Sequence, residues 1–248
     1  MSKMSDDAGP RRMMARSDAV EVNGRSMRVG VATPSSRDAP GVLVMIHGPG
    51  LDAFVEAQLD DLARHGYVAA APDVFHRQPD DGADPLTRVG RLVDQEILDD
   101  ADAAVTHLRS LHDVSVGRLA VLGFCMGGRN AYLLAGARPT WWSAAAVFYG
   151  GSILVPWGDV PSPFDLTDRI RCPMIGIFGA DDSNPSPNDV DTIAAQLSRH
   201  DRPHEFHTYA GAGHAFLNFT NAERHRPEQA GDAWSKVLAF LDRHVPRA

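Results

Sequence analysis

Three side chains in this sequence could together break an acyl bond. Cys125 stands in G-F-C-M-G, Asp182 in G-A-D-D and His214 in G-A-G-H-A-F. A thiolate can attack a carbonyl carbon, an imidazole can carry the proton, and a carboxylate can hold that imidazole in one tautomer. The setting of Cys125 carries most of the argument. The apolar run Leu119 to Leu122 reads as a buried strand, and Asn130 to Ala137 is a good helix former. G-x-C-x-G between a strand and a helix is the cysteine form of the nucleophile elbow, a tight turn that lifts its central side chain above a sheet. Glycines two before and two after leave room where a Cβ would clash. The helix behind the cysteine aims its N-terminus at the sulfur, which favours thiolate. The pentapeptide by itself also fits a free cysteine buried as a small hydrophobe. No G-x-S-x-G occurs in the chain, so no serine competes for the role.

His214 sits in a glycine-flanked turn just past a strand, a context that the other ten histidines lack. Asp181 competes with Asp182 for the acid; the strand-G-x-x-D spacing selects Asp182. The backbone N–H of Met126, next after the nucleophile, is the expected first donor of an oxyanion hole. The second must come from the loop after Val42 to Ile46. Pro49 has no N–H, which leaves Gly48, Gly50 or Leu51. Trp157 and Phe164 lie in an irregular stretch and are candidate pocket walls as readily as packing residues, whereas Trp141 and Trp142 read as packing. The stretch Ser152 to Asp168 is long enough to act as a lid. His204 and His207 lie three apart on an expected strand, which points them to opposite faces and argues against a metal pair.

These residues need a scaffold, and the chain supplies a regular one. Val20 to Val22 and Met27 to Ala32 flank Asn23-Gly24, the signature of a hairpin with a type I′ turn. Val42 to Ile46, Tyr67 to Ala71, Leu119 to Leu122, Ala144 to Phe148, Met174 to Phe178 and Glu205 to Tyr209 read as strands. Between them, helices are expected over Phe54 to His65, most of Leu86 to Leu111, Asn130 to Ala137 and Val190 to His200, with Glu228 to His244 closing the chain. Alternating strands and helices predict βαβ units in a mostly parallel, doubly wound sheet, led in by an antiparallel hairpin. Ligands bind such sheets at the carboxyl ends of the strands, where Cys125, Gly48, Asp182 and His214 all fall.

Residues 1–17 read as a polar, charged tail, and 18–248 as one domain that no linker or repeat divides. Hydrophobic residues make up 44% of the 248, enough for a substantial core. The formal charge of −8 argues against a nucleic-acid partner, which wants a basic face. No stretch is apolar for the length of a membrane helix, and no apolar segment follows Arg11, Arg12 and Arg16 to make a signal peptide. Two cysteines, Cys125 and Cys172, do not make a disulfide framework and fit a reducing, cytoplasmic home.

The order nucleophile, acid, histidine is that of the α/β-hydrolases. The chain resembles the dienelactone hydrolase (carboxymethylenebutenolidase) family of that fold, from about Val20 to the last helix. The similar stretches are G-Y-V-A-A-A-P-D-V-F-H-R at Gly66 to Arg77, G-F-C-M-G-G at Gly123 to Gly128, G-A-D-D at Gly179 to Asp182 and G-A-G-H-A-F at Gly211 to Phe216. The resemblance implies a cofactor-free hydrolase that opens small lactones or esters through Cys125, His214 and Asp182, in the breakdown of aromatics. Its expected partner is that small molecule alone, with the chain a monomer or homodimer. A thioesterase, a peptidase-type acyl hydrolase and a non-catalytic binder on the same fold are the alternatives. Two departures stand out. The family's glutamate after the third strand is replaced by Gly48, and Ala215 to Phe219 holds no arginine for a substrate carboxylate. Arg77, Arg88, Arg91 or Arg129 could replace that arginine, although surface arginine is the plainer reading of each. Without the glutamate, a standing Cys125–His214 ion pair is expected in the free protein.

Overall fold

The computed structural model describes residues 15–36, 38–112, 114–115 and 117–247. Eight strands form one sheet: β1 (Arg16–Val22), β2 (Arg25–Ala32), β3 (Gly41–Met45), β4 (Val68–Pro72), β5 (Leu119–Phe124), β6 (Ala144–Phe148), β7 (Met174–Gly179) and β8 (His204–Tyr209). Their spatial order is β1-β2-β4-β3-β5-β6-β7-β8. β1 pairs antiparallel with β2 and β2 antiparallel with β4; every later pairing is parallel. Asn23 and Gly24 take φ of 51° and 78°, the positive values a type I′ turn requires. β1 begins at Arg16, so Arg16 and Ser17 pair with Val31 and Gly30 instead of extending the expected tail. The rest of that tail, residues 1–14, lies outside the described residues.

The helices are α1 (Ala53–Arg64), α2 (Pro85–Val89), α3 (Asp94–Leu111), α4 (Met126–Ala137), α5 (Pro187–Arg199) and α6 (Pro227–His244), with a 3₁₀ turn at Phe164–Arg169. Local chemistry starts several of them. Asp52 accepts from the N–H groups of Phe54 and Val55 at the head of α1. Ser186 and Asp189 form a reciprocal capping box on α5. The central strands β3, β5, β6 and β7 are buried throughout, and their side chains form the middle of the core. α4 packs on β3, β5 and β6, which anchors the elbow to the centre of the sheet. Cys172 is buried just before β7, where burial pushes its thiol up to about 12 and leaves it inert. Among the described residues, no helix is long and apolar enough to cross a membrane.

One element differs from the sequence reading. The helix expected over most of Leu86 to Leu111 is two helices, broken at 90–93. Val93 is extended, with φ −125° and ψ 131°. That conformation lets Asp94 donate its N–H to the carbonyl of Trp157 at 2.8 Å. The break is thus set by a distant loop, and it leaves α2 as a separate piece beside the strand ends.

Candidate active site

Cys125 follows β5 with φ 58° and ψ −121°, a conformation that costs a side-chain-bearing residue about 1–3 kcal/mol. The surrounding packing makes it the conformation that fits. A Cβ on Gly123 would lie 1.9 Å from the carbonyl oxygen of Gly127, and one on Gly127 would lie 2.1 Å from that of Met45. The turn is closed by the Cys125 N–H donating to Phe148 and the Arg129 N–H donating to Cys125. The sulfur therefore stands at the N-terminus of α4, half-buried, facing the turn after β8.

That turn carries His214. Its Nε2 lies 3.0 Å from Cys125 Sγ, and its Nδ1 lies 2.8 Å from Asp182 Oδ2. The second oxygen of Asp182 accepts the N–H of Asn184 at 2.9 Å, so the carboxylate is held from both sides. Asp182 is buried, whereas Asp181 is exposed and its backbone N–H donates to Ala212. The geometry thus brings Asp182, and not its neighbour, to the histidine. The Tyr149 and His214 rings meet edge to face, 5.3 Å between centroids. Burial alone would push the imidazole pKa down. The hydrogen bonds and charges of Asp182 and Cys125 outweigh it and raise His214 to about 10. Burial, then the charges of Cys125 and Asp182, push the Tyr149 phenol well above its ordinary value.

The three residues sit in a cleft of about 280 Å³. Its floor includes Gly48 and Met126. Of the other residues considered for the oxyanion hole, the Gly50 N–H is engaged by the His47 carbonyl at 2.9 Å, and neither Gly50 nor Leu51 lines the cleft. Asp52 and Glu56, the carboxylates nearest the position of the missing glutamate in sequence, are elsewhere. Asp52 caps α1 and lies 2.9 Å from the buried His47, and Glu56 is exposed.

The expected arginines are not in the cleft. Arg77 is paired with the buried Asp100, Arg88 lies over the Phe75 ring, and Arg91 is paired with Asp81. Arg129 is fully buried and grips Asp94 through both carboxylate oxygens, at 2.5 and 3.0 Å. It also donates to the carbonyls of Ser152 and Val155, and its guanidinium lies 3.8 Å from the centre of the Trp157 ring. The stretch expected to be long enough for a lid is therefore tied down at 152–157. Trp157 lines the cleft from it; Phe164 does not, and its N–H donates to Ile153 in the packing behind.

One cation was missed. Arg224, in the loop before α6, lines the cleft, is exposed, and has no hydrogen-bond or ion-pair partner for its guanidinium among the described residues. It lies in the polar run N-A-E-R-H-R-P, where no periodicity or motif marks it. His204 and His207 both lie on β8, and among the described residues no group of three or more ligating side chains is arranged for a metal ion.

Known proteins bear on this geometry. A family model for the dienelactone hydrolase family matches residues 27–245. A Synechocystis sp. protein named "Putative carboxymethylenebutenolidase" is 32% identical over 209 residues, covering 80% of this chain and 83% of its own length. A Bradyrhizobium sp. protein named "Probable 2-oxo-3-(5-oxofuran-2-ylidene)propanoate lactonase" is 31% identical over 234 residues, covering 91% and 93%. The crystal structure titled "Putative Dienelactone Hydrolase" from Klebsiella pneumoniae superposes with a TM-score of 0.82 at 28% identity, covering 93% of this chain and 99% of that one. With a family match over nearly its whole length, this chain belongs to the dienelactone hydrolase family, whose members hydrolyse lactone and ester bonds.

Proposed function

We propose that the chain hydrolyses small esters and lactones by a Cys-His-Asp triad through an acyl-thioester. The observation that carries this reading is the continuous line from Asp182 through His214 to Cys125, 2.8 and 3.0 Å long, at the floor of an open cleft. The charged His214 stabilises a thiolate at Cys125, joined by the N-terminus of α4. The sulfur attacks the carbonyl carbon, and the carbonyl oxygen becomes an oxyanion facing the N–H groups of Met126 and Gly48. The tetrahedral intermediate collapses by breaking the carbon–oxygen bond. The leaving alkoxide takes the proton from His214 Nε2. His214, now neutral, accepts a proton from water, whose oxygen attacks the thioester carbon. The thiolate leaves, the acid product departs, and the ion pair is restored. Asp182 holds Nδ1–H throughout and keeps Nε2 directed at the reacting atoms.

Arg224 supports a modest preference for anionic substrates. It is an exposed cation ten residues after His214, on the same connection between β8 and α6. The free state of both cysteines supports a cytoplasmic home. The test is turnover of p-nitrophenyl acetate by wild type and Cys125→Ala, with mass spectrometry of the quenched wild-type reaction. Loss of turnover in a variant that melts near the wild-type temperature, and a covalent acyl adduct on the peptide containing Cys125, are the expected results. Turnover near wild type in Cys125→Ala would remove the cysteine from the mechanism.

A further inference from the structure

None of the residues of α2 is fully buried, and of its apolar side chains Val89 packs in part against the core. Its three apolar residues, Pro85, Leu86 and Val89, all line the cleft, and Leu86 is 83% exposed. Apolar side chains on a short surface helix ordinarily turn toward the core. Here Val89 reaches it in part, Leu86 stays exposed, and the rest of the helix is pinned. Asp84 caps its start, Gln78 donates to the Arg88 carbonyl at 2.8 Å, and the Arg88 guanidinium lies 4.0 Å from the centre of the Phe75 ring.

What α2 faces is the place left by the missing glutamate. A Cβ on Gly48 would lie 3.5 Å from Pro85 Cβ and 3.9 Å from Val89 Cγ2. The absent side chain thus opens the cleft from Cys125 toward an apolar surface. Trp157 extends that surface, held in place by two hydrogen bonds between its peptide group and Asp94 and by the Arg129 guanidinium over its ring. The large apolar side chains left exposed among the described residues are Leu86, Val93, Leu154, Val155 and Phe219; all but Phe219 lie on α2, on the turn after it, or on the strap that ends in Trp157.

We infer that the surface formed by Pro85, Leu86, Val89 and Trp157 is a subsite for an apolar arm of the substrate, an alkyl or aryl group attached to the scissile ester or lactone. The inference rests on the hydrolase reading above. The occupant is part of the substrate because Pro85, Leu86, Val89 and Trp157 line the same cleft as Gly48 and Cys125. Each methylene laid on such a surface removes apolar area from water, which raises kcat/KM by up to about fourfold, equivalent to about 0.8 kcal/mol.

The experiment measures kcat/KM, below any micelle concentration, on two series. One lengthens the acyl chain from p-nitrophenyl acetate through butyrate to hexanoate; the other lengthens the alcohol from ethyl to butyl to hexyl acetate. A steady rise along one series tells which side of the carbonyl faces α2. In Leu86→Ser and Val89→Ser, the ratio of the longest to the shortest substrate in that series should fall severalfold. Leu86 is exposed and Val89 only partly covered, so both variants should fold. Flat series in wild type, or ratios untouched in both variants, would overturn the subsite. So would a change of oligomeric state in Leu86→Ser with unchanged ratios, because the surface would then serve a second copy. Failure to turn over any ester would sink the hydrolase reading itself, a different result from flat but measurable rates.

Discussion

Replacing Asp182 by Asn should disable the site while leaving its shape. The carboxylate has two separate duties: one oxygen accepts the Asn184 N–H at 2.9 Å and the other faces His214 Nδ1 at 2.8 Å. An asparagine keeps its oxygen on Asn184 and turns its NH₂ toward Nδ1. Two donors then face each other, and His214 relieves the conflict by losing the Nδ1 proton and carrying its hydrogen on Nε2. The charge on the ring falls as well. Its rise from 6.5 to about 10 is worth on the order of 5 kcal/mol in favour of the imidazolium, shared by Asp182 and Cys125 against burial. If Asp182 supplies half, its loss alone costs about 2–3 kcal/mol, about a hundredfold. The wrong tautomer adds more, up to the total of about 10⁴ known for triads. The expected loss in kcat/KM toward p-nitrophenyl acetate is therefore about 10²–10⁴-fold. Alkylation by iodoacetamide without substrate gives a second readout. Wild type should label Cys125 rapidly at neutral pH, because a proton held on His214 favours the thiolate beside it. In Asp182→Asn, fast labelling should begin at higher pH. The opposite side of the comparison is Asp181→Asn, whose side chain is exposed and should matter little. Activity within tenfold of wild type in Asp182→Asn, with an unchanged labelling profile, would refute the reasoning. A larger loss in Asp181→Asn would do the same.

Other outcomes follow from single contacts. Arg224→Ala should lower kcat/KM for a carboxylate-bearing lactone by about five- to thirtyfold, about 1–2 kcal/mol, and leave a neutral lactone of similar size much closer to wild type; equal effects on both would remove Arg224 from substrate binding. Asp94→Asn leaves the buried Arg129 without its counter-charge, which should cost about 3–5 kcal/mol in urea unfolding and raise KM through a loosened Trp157. An unfolding midpoint equal to wild type would show the pair to be dispensable. Gly127→Ala drives a methyl into the Met45 and Ile46 carbonyls, at 2.1 and 2.5 Å, and should abolish soluble, active protein; an active, stable variant would mean that the elbow relaxes around the added methyl.

The elbow was legible in the sequence because its requirements are local. Gly123 and Gly127 must be glycine for contacts made within one turn of Cys125 and with the adjacent strand. The Asn23-Gly24 hairpin was legible for the same reason, since two neighbouring residues meet the whole demand for positive φ. Strand ends marked by G-A-D-D and G-A-G-H also stood out, because a parallel sheet delivers all its carboxyl ends to one edge. What the tertiary structure decided was everything set by contacts between distant segments. The break between α2 and α3 follows from Asp94 meeting Trp157, sixty-three residues later. By sequence alone Arg129 fits a surface cation, yet it is buried because Asp94 and the carbonyls of 152 and 155 surround it. Arg224 reaches the cleft from an irregular loop that has no period to read. A side chain's position along the chain gives the strand or turn it belongs to, but the charge or apolar face it meets is chosen by how the whole sheet brings its loops together.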